Sequence, residues 1–136
     1  MSGTAISTRG LIPGARVIAV EPAGADDAYR SFTGGKIVPS VNPQTIADGL
    51  LTSLGELTFR VIRKHVDEIV TVSEESIVEA MRLLWERMKI VVEPSGAVPL
   101  AAIIENKIDA GGKRVGLILS GGNVDLSRLP FRVNGA

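Results

Sequence analysis

The 136-residue sequence contains no cysteine, one histidine, one tryptophan and one tyrosine. The missing thiols exclude disulfides, thiolate metal centres and thiol nucleophiles. His65 lies in the polar run Arg63-Lys64-His65, a poor setting for Ser-His-Asp catalysis. An excess of either charge is also lacking: fifteen basic residues balance fifteen acidic ones, so a polyanionic partner such as nucleic acid is not expected. No apolar run approaches the ~20 residues needed to cross a bilayer. Met1-Ser2-Gly3-Thr4-Ala5 has neither the basic segment nor the apolar core of a signal peptide. These absences point to a cytoplasmic protein with no membrane partner.

What is present is ordinary in bulk, with 45% apolar and 22% charged residues, and long enough for one globular domain. The distinctive stretch is Ile118-Leu119-Ser120-Gly121-Gly122-Asn123-Val124-Asp125. An apolar run over 115–119 drives into a serine, two glycines and an asparagine. A buried parallel strand ends in this way when its carboxyl tip must approach a ligand, since glycines let the backbone come close. The same pattern also makes a plain turn.

The rest of the chain alternates strand and helix. Residues 16–21 (RVIAVE) and 68–72 (EIVTV) read as strands, and 114–119 as a third. Helices are expected at 2–10, near 27–32, at 46–53 behind Thr45, at 57–66, at 74–88 behind a Ser73 cap, and after Glu93-Pro94-Ser95-Gly96 to about 110 with Pro99 near the first turn. Ile77, Ala80, Met81, Leu84, Trp85 and Met88 recur at helical spacing, which makes Trp85 a core residue. Alternation of this kind argues for a parallel α/β sheet with ligands beyond the carboxyl ends of its strands. A three-stranded sheet would leave apolar edges that invite association.

Three further segments carry candidate chemistry. In Glu21-Pro22-Ala23-Gly24-Ala25-Asp26-Asp27, the carboxylates of Glu21 and Asp27 and a backbone carbonyl could converge on magnesium or calcium. Alternatively, Glu21 ends a strand and the aspartates cap a helix. Gly49, in Ile46-Ala47-Asp48-Gly49-Leu50, either lets a flat ligand lie against the backbone or serves helix packing. Glu93, after the apolar run 90–92, is either drawn toward a desolvated position or faces solvent at a helix start.

Together these segments resemble one family. Glu21-Pro22-x-x-Ala25-Asp26-Asp27, Thr45-Ile46-Ala47-Asp48-Gly49, Leu84-Trp85-Glu86-Arg87-Met88-Lys89, Glu93-Pro94-Ser95-Gly96 and Leu119-Ser120-Gly121-Gly122-Asn123-Val124-Asp125 follow the order found in serine racemases. The related serine/threonine dehydratases share it; both are pyridoxal-phosphate enzymes of the tryptophan-synthase-β fold type. The resemblance implies a partial three-layer sandwich forming a single incomplete domain over 1–136, with helices on both faces of about three parallel strands. It implies that Ser120 bonds the pyridine nitrogen, with Gly49, Gly121 and Glu93 around the cofactor. It further implies a divalent-cation site at Glu21, the Ala25 carbonyl and Asp27, and an ATP effector contacting Lys89 and Asn123 between subunits.

The chain departs from that family in what it omits. The Ser-x-Lys motif with its Schiff-base lysine and the tetraglycine phosphate loop are absent. None of Lys36, Lys64, Lys89, Lys107 and Lys113 lies in a matching motif, so no catalytic residue is assigned. The expectation is a carboxyl-terminal portion, inactive alone, of an enzyme that removes the α-proton of serine or threonine and then eliminates water or reprotonates. The alternative is a non-catalytic binding or assembly module that forms a homo-oligomer or complements a separate amino-terminal half.

Overall fold

Two five-residue strands, β1 (Ile18–Pro22) and β2 (Glu68–Val72), run parallel with Ala19 opposite Ile69 and Val20 opposite Val70. The computed structural model describes residues 1–131. Successive strand side chains point to opposite faces, and here both faces are apolar, which calls for helices on both sides. Ala19 and Ile69 join a core with Ala5, Ala28 and Ile62, contributed by α1 (Ser2–Leu11), α2 (Asp27–Gly34) and α3 (Glu56–His65). Val20, Val70 and Val72 face a second core with Ile77, Met81 and Val98, from α4 (Glu74–Leu83) and α5 (Pro94–Ile104). The α/β class and two of the three expected strands are therefore present, β1 starting two residues later than residue 16.

The third expected strand, 114–119, is not one. Among the described residues no neighbouring strand lies beside it, and Val115 and Ile118 are 48% and 59% exposed. An apolar run becomes a strand only when another backbone pairs with its amides and carbonyls. The segment is instead tied down at its end, where the Gly121 carbonyl accepts from the Glu93 N–H at 3.0 Å, while Leu119 and Val124 pack onto the second core.

Helix ends show how local chemistry sets the frame. Ser73 caps α4 as expected, its hydroxyl accepting from the Ser76 N–H. The helix then widens into a five-residue π turn, Leu84–Met88, and stops at Lys89, which sits in the left-handed region (φ 59°). Trp85 packs against the second core but is only half-buried, and its indole N–H donates to the Val92 carbonyl at 2.9 Å. Helix α5 ends at Ile104, well short of residue 110. Asn106 takes a left-handed φ of 55°, and the N–H groups of Asn106 and Lys107 return to the carbonyls of Ile103 and Ala102, a Schellman-type stop made by asparagine before the glycines are reached. The helix expected over 46–53 contracts to a single 3-10 turn, Asp48–Leu50. Gly49 disfavours a longer helix by about 1 kcal/mol, and the amides of Ile46 and Gly49 are taken by side chains from elsewhere.

Candidate functional site

The Ser120 stretch, the Gly49 turn and the start of α5 meet in one place. The Gly49 N–H donates to the Ser95 hydroxyl at 3.1 Å, and a Cβ at Gly49 would lie 3.0 Å from that oxygen. On the other side of α5, a Cβ at Gly96 would meet the Gly121 carbonyl at 3.2 Å and the Ser120 nitrogen at 3.4 Å. A Cβ at Gly121 would come 2.2 Å from Glu93 Oε1. The three segments thus touch through glycines because any side chain there would hold them apart. Glu93 packs against Gly121, and Ser120 is exposed at the rim. The Glu93 carboxyl group, the Ser120 backbone and the Gly49 backbone therefore border the amino end of a helix, where the dipole is positive.

Glu21 and Asp27 form a second constellation at the carboxyl end of β1. Glu21 Oε2 accepts from the Tyr29 N–H at 2.8 Å and Oε1 from the Ala28 N–H at 3.3 Å, so Glu21 caps α2 from the strand. Asp27 is 2% exposed, and its Oδ2 accepts from the Leu54 N–H at 3.2 Å. Burial pushes the Glu21 pKa up to about 7; the amides of Tyr29 and Ala28 oppose the rise and the nearby Asp27 charge adds to it. Burial likewise raises Asp27, against the opposing Leu54 bond. Both acids line a cavity of ≈ 160 Å³ with Met1, Leu50 and Leu54. Ala25 is buried in the connecting loop, its N–H on the Pro22 carbonyl. Gly24 there approaches so closely that a Cβ would lie 1.9 Å from the Gln44 carbonyl oxygen. The expected aspartate cap is not formed: Glu21 caps α2 instead, Asp26 sits at the N-cap without a cap bond and pairs with Arg30, and Asp27 holds Leu54. Among the described residues no group of three or more acidic or imidazole side chains is poised to hold a metal ion.

Lys89 and Asn123 are both exposed. The Lys89 ammonium donates to the Glu86 carbonyl at 2.8 Å. The segments carrying the two residues meet where a Cβ at Gly122 would be 2.8 Å from the Val91 carbonyl oxygen. His65 ends α3, far in sequence from every group above.

Three contributors go beyond the sequence expectations. Ser95 stands in the sequence only as one letter of Glu93-Pro94-Ser95-Gly96, yet it bonds Gly49. Glu74, expected to act on the α4 dipole, reaches across to accept from the Ile46 N–H at 2.7 Å. Glu105, following α5, turns back to accept from the Ser73 N–H (2.7 Å), the Ser73 hydroxyl (2.6 Å) and the Ser76 hydroxyl. Its burial favours a higher pKa, but these donors outweigh it and hold the carboxyl below its ordinary value. None of these partners is within reach along the sequence, so no spacing rule announces them.

The α/β frame thus gathers Ser120-Gly121-Gly122, a glycine turn and a glutamate at a helix start. The chain belongs to the family described as pyridoxal-phosphate dependent enzyme, which matches residues 1–121. It is 53% identical over 131 residues to the beta-hydroxyaspartate dehydratase of Paracoccus denitrificans, covering 96% of this chain and 42% of that protein. It is 51% identical over 138 aligned positions to the serine racemase of Dictyostelium discoideum, covering 98% and 43%. Among solved structures, a threonine deaminase from T.th. superposes with a TM-score of 0.87 at 49% identity, covering 93% of this chain and 42% of that one. The chain spans about two fifths of the length of these relatives.

Proposed function

We propose that this chain provides one wall of the pyridoxal-phosphate site of an enzyme acting on a hydroxy amino acid, as a dehydratase or a racemase. The observation that carries the reading is the direct contact of Gly49, Ser95-Gly96 and Ser120-Gly121 at the start of α5, in a chain that belongs to a pyridoxal-phosphate family. The fit is one of residue types: Gly49 and Gly121 would put bare backbone beside a flat ring, their missing Cβ positions being occupied by Ser95 and Glu93, and Ser120 supplies a polar group at the rim. When bound, the cofactor acts as an electron sink that acidifies the substrate α-carbon. Ser120 would meet the pyridine nitrogen as a neutral hydroxyl. Such a partner does not hold that nitrogen protonated as a carboxylate would, which suits elimination and racemisation more than transamination. Glu93, packed behind Gly121, would lie beside the ring.

The same reading assigns Glu21, the Ala25 carbonyl and Asp27 to Mg²⁺ or Ca²⁺. A divalent cation would relieve the repulsion between half-buried Glu21 and buried Asp27, with water completing the oxygen shell. Lys89 and Asn123 would contact a nucleotide such as ATP. Serine, threonine and 3-hydroxyaspartate are the candidate substrates, in the cytoplasm.

Because the chain spans about two fifths of its relatives, the reading includes a carboxyl-terminal role: the reactive lysine and the phosphate loop come from an amino-terminal half, within a homo-oligomer or as a separate complementing chain. The test is to mix the chain with pyridoxal phosphate, reduce with borohydride and measure the intact mass. It is then repeated with the amino-terminal part of the Paracoccus relative present. The expected result is no stoichiometric adduct on this chain, and turnover of a hydroxy amino acid only with the complement. A single modified lysine on this chain, with turnover by it alone, would refute the reading.

A further inference from the structure

We infer that Glu74 is a positioning residue, the anchor that sets the turn carrying Gly49. The inference deepens the proposed function and rests on it only for what the turn faces. Glu74 is the first residue of α4, where a glutamate ordinarily extends into solvent and interacts loosely with the helix dipole. Here the side chain crosses 28 positions of sequence to accept from the Ile46 N–H at 2.7 Å. Its other oxygen, Oε1, is the one buried side-chain polar atom among the described residues that has no hydrogen-bond partner. Burying a carboxylate oxygen unpaired disfavours the fold, so the arrangement is not explained as a device for stability. It does fix one peptide, at the point where the chain enters the turn.

From that peptide the turn is built rigidly. Ala47 is fully buried, its N–H on the Thr45 hydroxyl; the Asp48 N–H returns to the Ile46 carbonyl; the Gly49 N–H is held by Ser95. Glu74 from the start of α4 and Ser95 from the start of α5 therefore hold the two ends of a four-residue unit. The helices themselves pack on one another through the second core. Removing Glu74 leaves the second end of the turn held by Ser95 and the first by the burial of Ala47 and the Gln44–Gly24 backbone bond, with the Ile46 N–H freed.

The experiment is residue-resolved amide hydrogen exchange by NMR on the full chain, comparing wild type with Glu74→Ala, Glu74→Gln and Glu75→Ala. Glutamine keeps an acceptor for the Ile46 N–H, and Glu75→Ala removes a first-turn charge without removing that bond. The expected result is about tenfold faster exchange at Ile46 and Gly49 in Glu74→Ala, with β1 and β2 amides unchanged. Glu74→Gln should restore slow exchange, and Glu75→Ala should leave it unaltered. Uniform acceleration across the sheet, no acceleration at Ile46, failure of glutamine to rescue, or an equal effect of Glu75→Ala overturns the inference. In a parallel arm, pyridoxal phosphate is titrated into the wild-type chain with the amino-terminal part of the Paracoccus relative present, and the Gly49 and Ser120 amide shifts are followed. No response there counts against the cofactor reading and leaves the exchange ratios to decide the anchoring.

Discussion

Gly96→Ala tests the approach of α5 to the Ser120-Gly121 segment. The added Cβ would lie 2.7 Å from Val92 Cγ2, 3.2 Å from the Gly121 carbonyl oxygen and 3.4 Å from the Ser120 nitrogen. Val92 cannot yield, because it is fully buried and its branched side chain is stiff at χ1. The strain therefore passes to the Ser120-Gly121 peptide, which must move outward by a few tenths of an ångström. Overpacking of this kind costs about 1–3 kcal/mol, against a gain of up to about 1 kcal/mol for replacing a helical glycine by alanine. The net loss is about 1 kcal/mol and at most about 2 kcal/mol, or roughly 4 °C in Tm for a chain of this size. Thermal unfolding by circular dichroism reads the loss, and NMR shifts of Ser120 and Gly121 read the displacement. Gly121→Ala is the contrast: its obstacle is the far end of the Glu93 side chain, so it should lose less stability while displacing that carboxylate. An unchanged or raised Tm in Gly96→Ala, with Ser120 shifts unmoved, would refute the close approach of α5 to this segment.

Two other predictions follow from the carboxylates. Glu105→Ala removes an acceptor that ties the start of α4 to the end of α5, leaving the Ser73 N–H without it; hydrogen bonds to a charged group set the loss at about 2–3 kcal/mol, measured by urea titration. The Glu21 pKa is raised from 4.5 to about 7, so the folded chain holds the proton more tightly than the unfolded one. With chelator present, stability should therefore fall as pH rises from ~4.5 to ~7 and level off above. The full shift corresponds to about 3 kcal/mol, and partial exposure of Glu21 reduces the expected loss to about 1–2 kcal/mol. Glu21→Gln should flatten that slope; a slope unaltered by the substitution would show that another group carries it.

Much of the frame could be read directly from residue patterns. The apolar runs at β1 and β2 and the spacing from Ile77 to Leu84 have physical periods that the fold keeps, whereas Met88, expected on the same stripe, is exposed after the π turn; Ser73 announces a cap through local chemistry alone. The failures share a cause. Residues 114–119 have a strand's composition, but pairing depends on a neighbour that composition does not contain. Residues 46–53 offer a capping threonine and apolar positions, yet the amides there are claimed by Glu74 and Ser95, which lie 28 and 46 residues away from their partners. Asn106 stops α5 by adopting a left-handed conformation that glycine more often takes. In the site, Ser120, Gly49, Gly121 and Glu93 were legible as glycines and polar groups at element ends. Ser95, Glu74 and Glu105 were not, because each acts through a contact made only after folding.

The π turn at Leu84–Met88 works as a phase setting. An α-helix advances about 100° per residue, and a turn closed one residue later changes the direction in which the chain leaves the helix. That exit direction lets Trp85 reach back to the Val92 carbonyl and delivers Glu93 to Gly121 at the start of α5. Removing a single residue between 84 and 88 would thus act as a rotation: the helix would barely shorten, but the groups downstream would arrive facing the wrong way.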